Sequence, residues 1–305
     1  MKILPVLSAI LLLVNVPMDA LQHPTFRSGV DLVVLNVSVL GADGRSVLNL
    51  SKDAFSVREN GRPQTIVQFA AGSAPVRILI ALDASGSMLG QRFDFAQKAI
   101  LRFVDQLGPE DELSVTGFNR TVFQVAGWTR DRNRVERALA NVRPAGATAL
   151  YDAVADAVNA LDTDDYRRQA LVIISDGNDE IPRPRQTSES DWESLLAERA
   201  SSARDLVRAS EVLVYAIGVS GGGVHTLDTS SLKQLTDPSG GYTQVVSTPS
   251  AITPAAEHIA QELKQHYVIG FEPTEKRDGR FHRVDVSVTG CHCVARTRAG
   301  YVAHP

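Results

Sequence analysis

The chain has 305 residues, an apolar fraction of 44% and a net charge of −4. That is enough for one large domain or two modest ones with a real core. The mild negative balance and the lack of any basic run argue against a nucleic-acid surface.

The first segment in chain order is "MKILPVLSAILLLVNVPMDA". Lys2, the apolar run from Ile3 to Val16 and the small and polar residues behind it are laid out as a secretory signal peptide over residues 1–20. Ala20 fits as its last residue, although Met18 is a poor residue two positions earlier. The alternative is an uncleaved anchor, but the run is shorter than the ~20 residues needed to span a bilayer, and Pro5 interrupts it. The expectation is an exported chain, periplasmic or extracellular, that meets a membrane only through this signal or anchor.

Residues 26–73 read as β structure. In "VDLVVLNVSVL" the alternation puts Val33, Leu35, Val37 and Val39 on one face, and "AFSVRENGRPQTIVQF" reads as a hairpin turning at Asn60-Gly61. "AAGSAP" at 70–75 has the composition of a linker.

The pattern changes over 75–264. "VRILIALD" is an unbroken apolar strand, and "FDFAQKAILRFVDQL" carries apolar residues at helical spacing. "ELSVTGFNRTVFQVAGWT" is a pair of strands turning near Asn119-Arg120, followed by the short helices "DRNRVERALANV" and "TALYDAVADAVNAL". "QALVIISDG" is a second buried strand, "SDWESLLAERASSARDLVRAS" a helix and "EVLVYAIGV" a third strand. "GVSGGGVHTLD" lacks the lysine and spacing of a phosphate loop and reads as a flexible loop at the strand ends. "GGYTQVV" and "AITPAAEHIAQELKQH" supply a last strand and helix. Buried strands alternating with helices define an α/β fold, a doubly wound and mostly parallel sheet covered on both faces.

Residues 265–305 return to β structure with "YVIGF", "RFHRVDVSV" and "CVARTR". About three strands with one apolar face make a poor free-standing unit. The expectation is that 26–73 and 265–305 pack together as one β module, with 75–264 inserted between them. Cys291 and Cys293 would normally be oxidised in an exported chain. On a strand, however, residues i and i+2 lie about 7 Å apart, which strains a direct bridge. A soft metal site with His292 is also disfavoured, because a strand sends His292 to the opposite face. Two small strand residues are therefore expected.

The chemistry is concentrated where the most apolar strand ends in "DASGS", with Asp83, Ser85 and Ser87. The second buried strand ends in Ser175, Asp176 and Gly177. In a doubly wound sheet, ligands bind beyond the carboxyl ends of the strands where strand order reverses. If the two strands are neighbours, Asp83 and Asp176 meet there. Paired carboxylates call for a cation between them or a retained proton, and oxygen-only donors suit Mg²⁺, Mn²⁺ or Ca²⁺. Gly86 is expected to free the turn to curl its hydroxyls inward. Asp179 and Glu180 read as a solvated loop.

"DASGSM", Thr148 in "AGATALYDAV" and Asp176 in "IISDGND" resemble the metal-ion-dependent adhesion site of von Willebrand factor A domains. Ala147 departs from the glycine that many bacterial members carry there. The flanks are similar to those of a bacterial, exported von Willebrand factor A-related group. The resemblance implies metal ligation by Asp83, Ser85, Ser87, Thr148 and Asp176. Ser85 and Ser87 would bind directly, Thr148 directly in the ligand-bound form, and the two aspartates mainly through water. It implies Mg²⁺, or Mn²⁺ or Ca²⁺, and a protein partner offering Asp or Glu to an ion left short of negative charge. Thr148 could equally cap the helix that follows it. The motif segments hold neither a Gly-x-Ser-x-Gly elbow nor a histidine, so a non-catalytic binding module is preferred over a metal-dependent hydrolase or phosphatase and over a structural envelope scaffold.

Overall fold

The computed structural model describes residues 32–72, 75–161, 168–220, 227–275 and 277–303. The expected signal segment and most of the glycine-rich stretch 218–228 lie outside them. Four strands come first: β1 (Val33–Gly41), β2 (Phe55–Glu59), β3 (Arg62–Gln64) and β4 (Ile66–Gly72). Val33, Leu35, Val37 and Val39 are buried on β1, as a period of two requires. β2 and β3 form a hairpin whose turn residues Asn60 and Gly61 take φ of 48° and 81°. That left-handed pair matches the twist of the strands it joins. The chain then leaves this sheet, and β4 pairs with a strand from the far end of the chain. The stretch read as a linker therefore belongs to β4 as far as Gly72. Its small residues are exposed on a sheet edge, where no large apolar side chain is needed.

The central elements are β5 (Val76–Asp83), α1 (Gln91–Asp105), β6 (Glu112–Phe118), β7 (Val122–Thr129), α2 (Arg132–Leu139) and α3 (Leu150–Leu161). They continue with β8 (Arg168–Ser175), α4 (Glu189–Ala209), β9 (Leu213–Val219), α5 (Thr229–Thr236), β10 (Thr243–Val246) and α6 (Ile252–Lys264). The strands form one sheet in the order β10-β9-β8-β5-β6-β7, parallel except for β7 at the edge. Ile78, Ile80 and Leu82 of β5 pack on the side of α1, α2 and α6, and Leu79 and Ala81 on the side of α3, α4 and α5. A strand covered on both faces has no polar side to keep, which is why its sequence is unbroken apolar. α5 has little periodic signal, with only Leu232, Leu235 and Thr236 buried. Its start is fixed by Asp228, whose carboxylate accepts from Ser231 N at 3.0 Å.

β11 (His266–Phe271), β12 (Phe281–Val288), β13 (Cys293–Arg296) and β14 (Gly300–Val302) complete the chain. Two further sheets result, β13-β1-β11-β4 and β14-β12-β2-β3, and each mixes strands from both chain ends. Leu35, Val37, Phe55, Val57, Tyr267, Ile269, Phe271 and Val284 share the core between them. Cys291 and Cys293 are joined by a disulfide, contrary to the reading of both as strand residues. Cys291 lies in the turn that follows Gly290 (φ 86°), and only Cys293 enters β13. The Cα atoms are accordingly 5.3 Å apart, within bridging reach.

These two sheets meet the central sheet at the amino ends of its strands. Arg298 pairs with Glu211, just ahead of β9, at 3.0 Å and donates to Val34 O of β1 at 2.9 Å. Ala299 N donates to Pro238 O at 3.0 Å. The carboxyl ends of the central strands are at the opposite end of the sheet.

Candidate functional site at the carboxyl ends of the central strands

β5 lies between β6 and β8, so the chain passes to opposite sides of its first central strand. This is the switch point at which a doubly wound sheet opens a crevice. Register carries the two motif strands to the same height, with Leu82 opposite Ile174, so Asp83 stands beside Ser175 and next to Asp176. The third segment is tied to both neighbours by backbone bonds. Ala145 N donates to Ala84 O at 2.8 Å and Gly86 N to Gly146 O at 3.0 Å. Thr148 and Glu180 exchange both backbone bonds, at 2.9 and 2.8 Å. The loop bearing Thr148 therefore bridges the Asp83–Ser87 turn and the loop after Asp176.

Asp83, Ser85, Thr148 and Asp176 are buried, and Ser87 is half-buried. Asp83 Oδ1 accepts from Ser85 N at 2.8 Å, and Oδ2 accepts from the Ser175 hydroxyl at 2.7 Å. Ser175 Oγ in turn accepts from Gly177 N at 3.0 Å. Each Asp83 oxygen keeps a lone pair beyond these bonds. Burial pushes the Asp83 carboxyl up to about 6, the bonds from Ser175 and Ser85 pull it down, and the charge of Asp176 adds to the rise. Asp176 Oδ1 accepts from Asn178 N at 3.3 Å, while its buried Oδ2 has no hydrogen-bond partner. Ser85 Oγ and Ser87 Oγ are 3.0 Å apart. Neighbouring oxygens of an octahedral shell at ~2.1 Å from a small cation have about that same separation. Two interacting carboxylates, one orphaned oxygen and two hydroxyls at this spacing form a donor set that fits a hard divalent cation. Among the described residues no three His, Cys, Asp or Glu side chains cluster for metal binding, so any such ion depends on the hydroxyls.

The local geometry departs from the sequence expectations in three places. Gly86 does not take a positive φ; the left-handed glycines are Gly90, Gly146 and Gly177, at 79°, 83° and 82°. At Gly177 a side chain would also run into Asp228 O. α3 begins at Leu150 with Ala149 O accepting from Ala153 N, so Thr148 lies ahead of the cap position. Asp179 is not solvated: its side chain is 6% exposed, its Oδ1 accepts from Tyr151 N at 3.4 Å, and it pairs with Arg199 of α4 at 3.8 Å. Burial raises its carboxyl, partly offset by the Arg199 charge. Arg199 also pairs with Asp152 of α3 at 3.0 Å. Ser175 is the site residue that sequence reading passed over. Its signal was the hydroxyl directly before Asp176 at the end of a strand.

Residues 78–178 match the sequence profile described as von Willebrand factor type A domain. A human protein, inter-alpha-trypsin inhibitor heavy chain H4, is 23% identical over 116 residues, which are 34% of this chain and 12% of that protein. Among solved structures, "von Willebrand factor type A from Catenulispora acidiphila" superposes with a TM-score of 0.51 at 14% identity, over 92% of this chain and 76% of that one. The vWF domain of the type V pili tip protein Mfa5 from Porphyromonas gingivalis gives 0.50 at 14% identity, over 62% and 95%. Both likenesses are of fold. The first extends beyond the central sheet into the flanking strands.

Proposed function

The chain carries a von Willebrand factor type A domain, matched over residues 78–178, and from that premise we propose that it is an exported, divalent-cation-dependent module that captures an acidic side chain of a partner protein. Ser85, Ser87, Thr148, Asp83 and Asp176 would hold the ion, Mg²⁺, or Mn²⁺ or Ca²⁺, since all the donors are oxygens. When bound, the ion supplies an electrophilic centre for an anionic oxygen from outside. The observation that carries this reading is the buried, partnerless Asp176 Oδ2 beside the raised carboxyl of Asp83. Uncompensated buried charge of this kind is costly unless a cation answers it.

The chain's own groups set the terms of capture. Ser175 and the Ser85 amide fix the Asp83 carboxylate, and the backbone bridge to Glu180 fixes Thr148. Among the described residues the flanking sheets dock at the opposite end of the central sheet, away from these strand ends. Among the described residues the buried histidines are His266 and His282, which belong to β11 and β12, where His282 bonds Glu59 and Asp278, and this favours binding over catalysis. Export is supported by the amino-terminal sequence, and a Cys291–Cys293 disulfide is compatible with an oxidising compartment. Among the described residues no helix is long and apolar enough to cross a membrane.

The test is thermal unfolding with Mg²⁺ and with EDTA. Mg²⁺ raises Tm by several degrees, EDTA reverses it, and Asp176→Ala removes the response while the metal-free protein stays folded. A Tm indifferent to Mg²⁺ and Mn²⁺ contradicts the proposal.

A further inference from the structure

We propose that the partner segment received at this site is acidic over several residues and carries an apolar side chain beside them, because a collar of arginines with one exposed leucine surrounds the site. This deepens the reading of the strand ends as the place where a partner carboxylate is received, and it rests on that reading. Three segments form the collar, the first of them the start of α1. In the first, Arg92 Nη1 donates to Ser87 O at 2.7 Å, which sets a guanidinium against the hydroxyl turn itself. In the second, Arg120 is exposed next to Asn119, whose carbonyl accepts from Ala149 N, the neighbour of Thr148. In the third, Arg183 and Arg185 are exposed just beyond Glu180, the backbone partner of Thr148. Three residues of chain span at most about 11 Å, so Arg183 stays close to the site.

The exposed acids in the same three segments are Asp94 and Glu180. The collar is thus net positive on a chain whose total is −4. A lone carboxylate would be satisfied at the ion and would leave the guanidiniums unused. Several carboxylates in succession would engage both, since arginine matches carboxylate geometry and a local positive field draws anionic segments in. Leu89 stands two residues past Ser87 and is 63% exposed, an apolar contact beside the hydroxyl turn.

The test uses the full chain in Mg²⁺ and two labelled synthetic peptides followed by fluorescence anisotropy. One peptide sets a leucine among glutamates, and the other places a single glutamate in a glycine–serine background. The glutamate-rich peptide binds about tenfold more tightly or better, with an advantage that shrinks as salt rises. Arg120→Glu with Arg183→Glu lowers its affinity about tenfold while the Mg²⁺-induced rise in Tm is unchanged, and Leu89→Ala lowers it about threefold. Equal or absent binding of the two peptides, or wild-type affinity in the charge-reversed variant, overturns the collar. A preference for the acidic peptide that persists unchanged in EDTA supports the collar and contradicts the metal reading beneath it.

Discussion

Asp83 sits where its own charge is penalised. The folded-state value of about 6 lies above the ordinary 3.8, so between those values the native protein holds the proton that the unfolded chain releases. The metal-free protein therefore loses stability as pH rises from about 4 to about 6 and levels off above, a contribution of about 3 kcal/mol. A cation beside the carboxylate reverses the balance, because it favours the ionised form. The expected outcome is a Mg²⁺-induced rise in Tm that is largest near neutral pH and fades as pH falls below about 6. Calorimetry at several pH values checks this, and a Mg²⁺ effect that grows on acidification contradicts it. At this scale the positions of the proposed ligands Asp83, Ser85, Ser87, Thr148 and Asp176 were legible, since all stand at the ends of recognisable elements. Ser175 was not, because its bond to Asp83 comes from the register of β5 on β8, which no local pattern encodes.

At the scale of elements, three loops are held together largely by backbone bonds, and α4 adds a side-chain clamp. Arg199 reaches from α4 to Asp179 in the loop after β8 and to Asp152 at the start of α3. Asp179 in turn receives Tyr151 N, so one guanidinium braces the elements on either side of Thr148. Removing it leaves a buried carboxylate without its cation, at a cost of roughly 1–3 kcal/mol. Arg199→Met is expected to lower the Tm of the metal-free protein, to weaken Mg²⁺ binding in a calorimetric titration, and to be partly rescued by Arg199→Lys. Unchanged Mg²⁺ affinity in the methionine variant would confine the clamp to stability. Asp179 read as solvated in the sequence because its partner, Arg199, lies in the middle of the following helix. The long helices and apolar strands were readable from period and run length, whereas α5 was hidden by its mostly polar sequence.

At the scale of the whole molecule, the chain ends close on each other. β1 pairs with β11 and β13, and β12 pairs with β2. Neither the first nor the last segment alone has a complete sheet, and a lone segment would expose unpaired strand edges. Deleting residues 265–305 is expected to give a chain that aggregates or elutes in the void volume on size exclusion, although the sequence of the central sheet is intact. A monomeric product that keeps the parent's melting transition contradicts this. The sequence showed β pattern at both ends, but strand order is a product of tertiary packing. The crossing of the chain from β3 to β4, between two sheets, left no mark beyond a polar break at Thr65. Among the described residues the flanking sheets dock at the amino ends of the central strands, away from the proposed site.

The claim on which the function depends is that three separated segments gather their oxygens around one hard ion. A crystal grown with Mn²⁺ and measured at the manganese absorption edge tests this directly. The expected result is a single strong anomalous peak within about 2.2 Å of the Ser85 and Ser87 hydroxyl oxygens, with Thr148 and Asp176 around it. Diffraction of the same quality with no peak there, or with the ion bound only elsewhere on the chain, would contradict the account.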